Sequence, residues 1–373
     1  VNRSHFQSMD IWSYGSTDEE TRTGWLGRNL DEQYPNFPSD YPNEDNPDPF
    51  AISMGYEVSA TCQGIAGNFS HTVTDPFQEV NVGDYASAND GTYYGSHMEY
   101  LSTIIAQTNA YGQQVNDAAN AGNSLSNLYD PENRMAMQFK SIAQMISGGL
   151  KTKIYIVNHN GFDTHSEQTN AIDPTVGNHE QLLKEMSNAI EAFQDDLQLL
   201  GLDKRVAGMT FSEFGRQIAS NSSDGTDHGD AAPLFLFGSC LSDSIIGPNP
   251  TIANTIAQQA GIPVQFDFRD IYASMLRDWF EVGETEVLAL FDHQVTLVPL
   301  MQACNLGVDE FAKVNVESLI YPNPCVSHAT LQLISKGEWV KADIHSITGQ
   351  HLKTIVDGNL SADKHYVPFD LEN

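Results

Sequence analysis

The side chains best suited to chemistry fall in two short stretches near the middle of the chain, GFDTH and the run from SEFGR to DHG. The set comprises Asp163, His165, Glu213, Arg216, Asp227 and His228. Carboxylates and imidazoles are the ligands expected for zinc or a similar divalent ion, which polarises an oxyanion ester and lowers the pKa of its nucleophile. We therefore predict a divalent-metal site with the acidic and histidine members as ligands: zinc first, calcium or magnesium as alternatives.

The remaining member of the set, Arg216, is a candidate catalytic residue. Its planar guanidinium suits a bidentate contact with phosphate or sulfate oxygens. Ser4, in RSHFQSMDIW, is the second catalytic candidate, because a serine at a helix N-terminus beside an arginine is a reasonable nucleophile. The alternative for Ser4 is a plain N-cap, and each acid or histidine alone could be a helix cap or a surface group.

Buried strands must position these residues. The apolar run at residues 154–157 predicts a strand, residues 178–200 a helix ending near Gly201, and residues 206–211 a second strand. A right-handed βαβ unit would place both polar stretches at the same carboxyl edge of a parallel sheet. With a third run at residues 233–238 and a helix at 267–282, the pattern predicts a three-layer α/β core with a mostly parallel sheet.

The composition changes near residue 305. Alternating apolar and polar residues follow, which is typical of a small antiparallel β-domain. We predict one domain at residues 1–305, a linker at 306–318 and a second domain at 319–373. Neither terminus resembles a domain boundary, so we expect both domains to be truncated.

Charge and hydropathy exclude several partner classes. The formal net charge of −31 opposes binding to a nucleic-acid backbone. No apolar run is long enough for a membrane span, and the chain starts without a signal-peptide pattern. The four cysteines are widely spaced without a Cys-x-x-Cys pair, which argues against a structural zinc site.

Five strings, in the order RSHFQSMDIW, TGWLGR, GFDTHSEQ, FSEFGRQIASNSSDGTDHGDAAPLFLFG and DFRDIYASMLRDWF, resemble the family named domain of unknown function 1501. That family in turn resembles the alkaline phosphatase and sulfatase superfamily, which implies an alkaline-phosphatase-like core with one or two metals at the sheet edge. The resemblance implies that Asp163, His165 and His228 bind the first metal. It implies Glu213 for the second, with Asp227 and His228 as the alternative pair, and Ser4 as nucleophile.

The C-terminal stretch IYPNPCVSHATLQL, with the segment from VKADIHSI to HLKTIV, resembles the type A sorting domain of the Bacteroidetes type IX secretion system. The resemblance covers residues 319–373. It implies the type IX secretion machinery as a partner, and a secreted or cell-surface location.

Our leading hypothesis is therefore a secreted metal-dependent hydrolase of phosphate or sulfate esters, with a small-molecule or polysaccharide ester as substrate. The alternative is a catalytically inactive surface or adhesion protein on the same fold, suggested by the unusual Asp-x-His spacing. A third hypothesis is a calcium-stabilised structural module, based on the acidic loop from Asp31 to Asp48.

Overall fold

The structure is a computed structural model that describes residues 3–83, 90–242 and 245–302, and in the C-terminal part residues 319–321, 327–335, 337, 339–345 and 351–370. The chain divides into two compact units, Val1–Cys304 and Asn305–Asn373. The linker predicted at residues 306–318 lies outside the described residues.

The larger unit mixes helices and short strands. Its helices are α1 (His5–Tyr14), α2 (Trp25–Gln33), α3 (Tyr93–Ala121), α4 (Arg134–Ser147), α5 (Asn178–Leu199), α6 (Phe268–Asp278) and α7 (Glu284–Ala289). Its strands are β1 (Ala51–Met54), β2 (Ser70–Val73), β3 (Ile154–Val157), β4 (Gly208–Met209) and β5 (Leu236–Phe237). The predicted strand at residues 154–157 is confirmed, and α5 is followed by Gly201 with a left-handed φ of 69°.

The central sheet has three parallel strands in the order β2-β1-β3. Successive residues of β1 point to opposite faces: Ile52 packs with residues of α3, α4 and α5, whereas Ala51 packs with residues of α2 and α6. Both faces of the sheet are therefore covered by helices. This burial explains why β3 is a continuous apolar run rather than an alternating one.

One expectation about this sheet is wrong. Residues 206–211 do not add a parallel strand beside β3; only Gly208 and Met209 form a strand, and β4 pairs antiparallel with β5. The ring of Phe237 lies so close to Gly208 that a Cβ there would sit 1.9 Å from its Cζ atom, so a larger residue at this position would force the ring to move. The parallel partner of β3 is instead β1, a strand of four residues that the sequence pattern did not reveal.

The smaller unit is antiparallel, and the predicted small β-domain is confirmed at this level. Its strands are β6 (Leu319–Tyr321), β7 (His328–Ile334), β8 (Trp339–His345), β9 (His351–Asn359) and β10 (Lys364–Asp370). They form the sheets β10-β7-β6 and β8-β9. Alternate residues of β7, namely Ala329, Leu331 and Leu333, are buried together with Phe369.

Candidate metal centre

The two polar stretches singled out from the sequence meet in space. Gly229 donates a backbone hydrogen bond to Gly215 (2.7 Å), which pairs the SEFGR segment with the DHG segment. Gly225 lies against the GFDTH stretch, where a Cβ would approach the carbonyl carbon of His165 to 2.3 Å. Glycine is thus required where these backbones touch, and the contacts place Asp163 and His165 beside His228.

The first helix brings a further imidazole to this place. His5 is the first residue of α1, and its Nε2 lies 3.1 Å from Oδ2 of Asp163. Its ring also packs edge-on against that of His228, with centroids 4.5 Å apart. Our prediction did not include His5 as a ligand; the only signal was its place beside Ser4 just before a helical pattern.

Asp163 is the centre of the arrangement. Its Oδ1 lies 3.0 Å from Nε2 of His228 and 3.1 Å from Nε2 of His165. The two imidazole Nε2 atoms are themselves only 2.9 Å apart. Ligand atoms of His5, Asp163 and His228 all lie within 4.8 Å of one another. We refer to Asp163 with His5, His165 and His228 as the Asp163 centre.

The opposite ring nitrogen of each histidine has an acceptor as its partner. Nδ1 of His5 donates to Oε1 of Glu213 (2.7 Å), and Nδ1 of His165 donates to Oδ1 of Asp227 (3.0 Å). Nδ1 of His228 donates to the carbonyl oxygen of Arg3 (2.7 Å). Ionised carboxylates and carbonyl oxygens only accept, so these partners place the proton on Nδ1 and leave a lone pair on each Nε2 when the rings are neutral.

Glu213 and Asp227, two of the predicted ligands, lie on the outer side of the histidines. The second oxygen of Glu213 accepts a hydrogen bond from Ser212 Oγ (2.9 Å), and Oδ1 of Asp227 also accepts one from Asn221 Nδ2 (3.2 Å). Sequence alone could not separate the two roles, because carboxylates at the same edge can bind a metal or orient a ligand.

The predicted catalytic residues occupy two different positions. Arg216 donates from Nη1 to Oδ1 of Asp163 (2.5 Å), from Nε to Thr226 Oγ1 (3.2 Å) and from Nη2 to the Thr226 carbonyl. Ser4 is the N-cap residue of α1, with extended backbone (φ −100°, ψ 125°) and no cap hydrogen bond to its side chain. Ser4 directly precedes His5 in the chain. The guanidinium of Arg216 donates to Asp163 and Thr226, so its hydrogen bonds go to acceptors of the protein itself.

The local electrostatics favour charged carboxylates. Burial raises the pKa of Asp163, but the hydrogen bond from Arg216 and the nearby histidines outweigh it, so that pKa falls below its ordinary value. The pKa of Glu213 is lowered in the same way by backbone and His5 hydrogen bonds that overcome burial. The hydrogen bond to Glu213 raises the pKa of His5.

The Asp163 centre is open to solvent. The side chains of Asp163 and His165 are 44% and 46% exposed, and both line a cavity of about 370 Å³. Asn178 and Gln181, from the first turn of α5, form another part of its wall. A small molecule in this cavity would therefore contact the side chains of Asp163 and His165.

A family model described as "Protein of unknown function (DUF1501)" matches residues 12–291, which is more than half of the chain. The comparisons found no matching curated protein and no matching solved structure. The matched range includes Asp163, His165 and His228 but starts after His5.

These results correct our predictions of partners. The matched family carries no assigned activity, and its model ends at residue 291, before the C-terminal unit. Arg216, expected to bind the oxyanion of a substrate, is held by Asp163 and Thr226. Neither a small-molecule or polysaccharide ester nor the type IX secretion machinery is therefore retained as a partner.

Within the described ranges, no helix combines the length and apolarity needed to cross a membrane.

Proposed function

The chain belongs to the family described as protein of unknown function DUF1501, and from that premise we propose that it is a metal-dependent hydrolase whose metal is held at the Asp163 centre. The ligands in this proposal are Asp163 and the Nε2 atoms of His5, His165 and His228. A carboxylate and imidazole set of this kind favours zinc.

The observation that carries the proposal is the approach of His165 Nε2 to His228 Nε2 at 2.9 Å, beside the Asp163 carboxylate. With both Nδ1 atoms protonated, two neutral rings would present lone pairs to each other and to an anion, which is repulsive. A proton can relieve one such contact. A divalent cation would relieve all of them at once and would also engage His5, so the donor set fits a metal.

A bound divalent ion supplies Lewis acidity and lowers the pKa of a coordinated water or hydroxyl nucleophile. The residues of this chain would orient the groups around it. Arg216 holds the carboxylate of Asp163, and the outer acceptors fix the three rings. The cavity beside Asp163 and His165 gives the reacting molecule access.

The finer relation to the alkaline phosphatase and sulfatase superfamily, with its three-layer core, remains part of this proposal. It is supported by the parallel sheet with helices on both faces and by the position of Asp163 just after β3. Ser4 is the proposed nucleophile, on the ground that it lies at the N-terminus of α1 directly before His5.

We further propose a secreted or cell-surface location. The disulfide at Cys240 supports it, because disulfides persist in oxidising compartments. The C-terminal unit as a sorting domain is a prediction from sequence resemblance alone.

A binding-only surface protein is the second candidate, and the engagement of Arg216 by Asp163 and Thr226 favours it, since this guanidinium is not free to hold an oxyanion. The calcium-module hypothesis has less support. Asp31 and Asp48 accept hydrogen bonds from the backbone nitrogens of Ile65 and Lys151, so both carboxylates already have structural partners.

The test is equilibrium dialysis of the full chain against zinc, magnesium or calcium, followed by elemental analysis. The Asp163→Ala and His228→Ala variants are the comparison, and each should lose the bound metal. Equal metal content in all three proteins would end the proposal. Hydrolysis of p-nitrophenyl phosphate and p-nitrophenyl sulfate then separates the two candidates: metal-dependent turnover lost in Ser4→Ala supports the hydrolase, and stoichiometric metal without turnover supports the binding-only protein.

A further inference from the structure

The outer partners of the three histidines form a consistent pattern. In each case Nδ1 donates to an acceptor away from the centre, and Nε2 faces Asp163 or a neighbouring Nε2. A histidine that binds a metal through one nitrogen usually donates from the other to a carboxylate or carbonyl, which fixes both the tautomer and the ring orientation. The described contacts provide that arrangement three times around one carboxylate.

The geometry points to Glu213 and Asp227 as positioning residues rather than ligands, around a site of three histidines and one carboxylate. This inference rests on the proposed metal binding. Glu213 would hold His5, and Asp227 would hold His165. The assignment reverses the sequence-based prediction, in which both acids bind the metal directly.

The existing contacts of each acid support this assignment. Glu213 uses Oε1 for His5 and Oε2 for the hydroxyl of Ser212, so both oxygens are engaged away from Asp163. Asp227 uses Oδ1 for His165 and for Asn221. Direct ligation by Glu213 would therefore break its hydrogen bond to His5 and free a ring that already faces the centre.

The acids also differ from Asp163 in where their charge acts. The carboxylate of Asp163 accepts a hydrogen bond from Arg216 and lies within 3.1 Å of the Nε2 atoms of three rings. Glu213 and Asp227 each accept from the Nδ1 atom of one ring. A carboxylate behind the ring makes the imidazole a stronger ligand without occupying a coordination position. Removing it should weaken metal binding while leaving the ligand itself in the chain.

The experiment measures zinc affinity of the full chain by competition with a chromophoric chelator, and the number of bound imidazoles by X-ray absorption spectroscopy. Glu213→Leu and Asp227→Leu should each weaken zinc binding by roughly 10- to 100-fold and lower the imidazole count. Glu213→Gln and Asp227→Asn retain a carbonyl oxygen that accepts from Nδ1, so they should lose less affinity and keep the full count. Asp370→Asn is the matched control, because it alters a carboxylate–histidine pair (Asp370 with His328, 2.5 Å) in the other unit.

The outcomes separate this inference from the proposed function. Failure of the wild-type chain to bind zinc would overturn both. Zinc binding that survives unchanged in both leucine variants would overturn the positioning role alone. The positioning role would also be overturned if the amide variants lose as much affinity as the leucine variants while all imidazoles stay bound, because a lost carboxylate ligand would then explain the effect.

Discussion

Two clusters in the larger unit, the Asp163 centre and a second one, combine aspartate, arginine and histidine. They differ in how their charged groups are paired. In the second cluster, which we call the Arg269 network, Arg269 binds Asp267 through Nε (2.9 Å) and Nη2 (2.8 Å) and Asp292 through Nη1 (3.0 Å). The one histidine there, His293, contacts Oδ1 of Asp270 at 3.2 Å. Each carboxylate thus already faces a cation or a donor.

The comparison shows that acids and histidines in proximity do not by themselves indicate a metal. At the Arg269 network the positive charge is part of the protein, and Asp267 also caps α6 by accepting from the backbone nitrogen of Arg269. At the Asp163 centre the Nε2 atoms of His165 and His228 face each other, and Arg216 donates to the carboxylate of Asp163. The Arg269 network is complete as a structural unit, whereas the Asp163 centre has the donor set that we propose as a cation site.

The largest expected effect separates the two clusters by stability. Arg269→Ala removes the hydrogen bonds to both Asp267 and Asp292, and we expect the larger unit to lose about 3 kcal/mol, since hydrogen bonds to charged groups contribute roughly 1.5–3 kcal/mol each and these are partly solvated. Urea denaturation measures the loss. Zinc stoichiometry should not change, and Arg269→Lys should lose less. A fall in zinc stoichiometry in Arg269→Ala would contradict the conclusion that only the Asp163 centre binds zinc.

The next largest effect is the stabilisation of the folded chain by zinc bound at the Asp163 centre. Zinc at a hundred times its dissociation constant should stabilise the wild-type chain by about 2.7 kcal/mol, because it binds only the folded state. Asp163→Ala should show no such gain in the same denaturation experiment. Asp267→Ala, the same substitution in the Arg269 network, should retain it. Equal gains in the two variants would show that zinc acts elsewhere.

Lowering the pH tests the charge pairing in the Arg269 network. Burial raises the pKa of Asp267 and Asp292, but hydrogen bonds from Arg269 and, for Asp292, from Ser16 outweigh it, so both pKa values lie below the ordinary 3.8. A carboxylate with a lowered folded-state pKa contributes stability above its unfolded pKa and loses it as pH falls through the folded value. The contribution should therefore disappear only below pH 3.8.

The corresponding measurement compares wild type with Arg269→Gln in denaturant titrations across that range. Their stability difference should shrink on the order of 1 kcal/mol on acidification, a figure reduced for solvent screening around the partly exposed Asp292. A difference that stays constant from neutral pH to pH 3 would contradict the assigned charge pairing.

The sequence predicted much of this molecule where patterns are long or local. The continuous run of β3, the long amphipathic pattern of α5 and the alternation in β7 each fix their own element. The convergence of GFDTH with SEFGR and DHG was also predicted, but from a parallel strand at residues 206–211 that the structure does not contain. The stretches meet instead through close backbone contacts at Gly215, Gly225 and Gly229. Strands β1 (AISM) and β2 (SHTV) are as short as β3 but contain polar residues, so neither is a continuous apolar run, although they form most of the parallel sheet.

Roles within the Asp163 centre depend on distances that sequence does not contain. His5 is 158 residues away from Asp163, and nothing in RSHFQSMDIW specifies that α1 packs at the sheet edge. Glu213 and Asp227 look equivalent to Asp163 in a sequence, since all three are acids after a strand or turn. Only the ring nitrogen that each one contacts distinguishes an orienting carboxylate from a ligand.

The smallest predicted effect concerns the salt bridge that holds the outer partner of His228. Arg3 binds Asp230 through Nε (3.0 Å) and Nη2 (2.8 Å), and its carbonyl oxygen accepts from His228. Asp230→Asn should loosen this carbonyl and weaken zinc binding by less than the roughly tenfold expected for loss of a direct outer partner, because the histidine itself is untouched. The chelator competition measures it, with Asp292→Asn as the control from the Arg269 network. A loss as large as that of Glu213→Leu would mean that the Arg3 carbonyl orients His228 as strictly as a carboxylate does, and an effect in the control would mean that the two clusters are coupled.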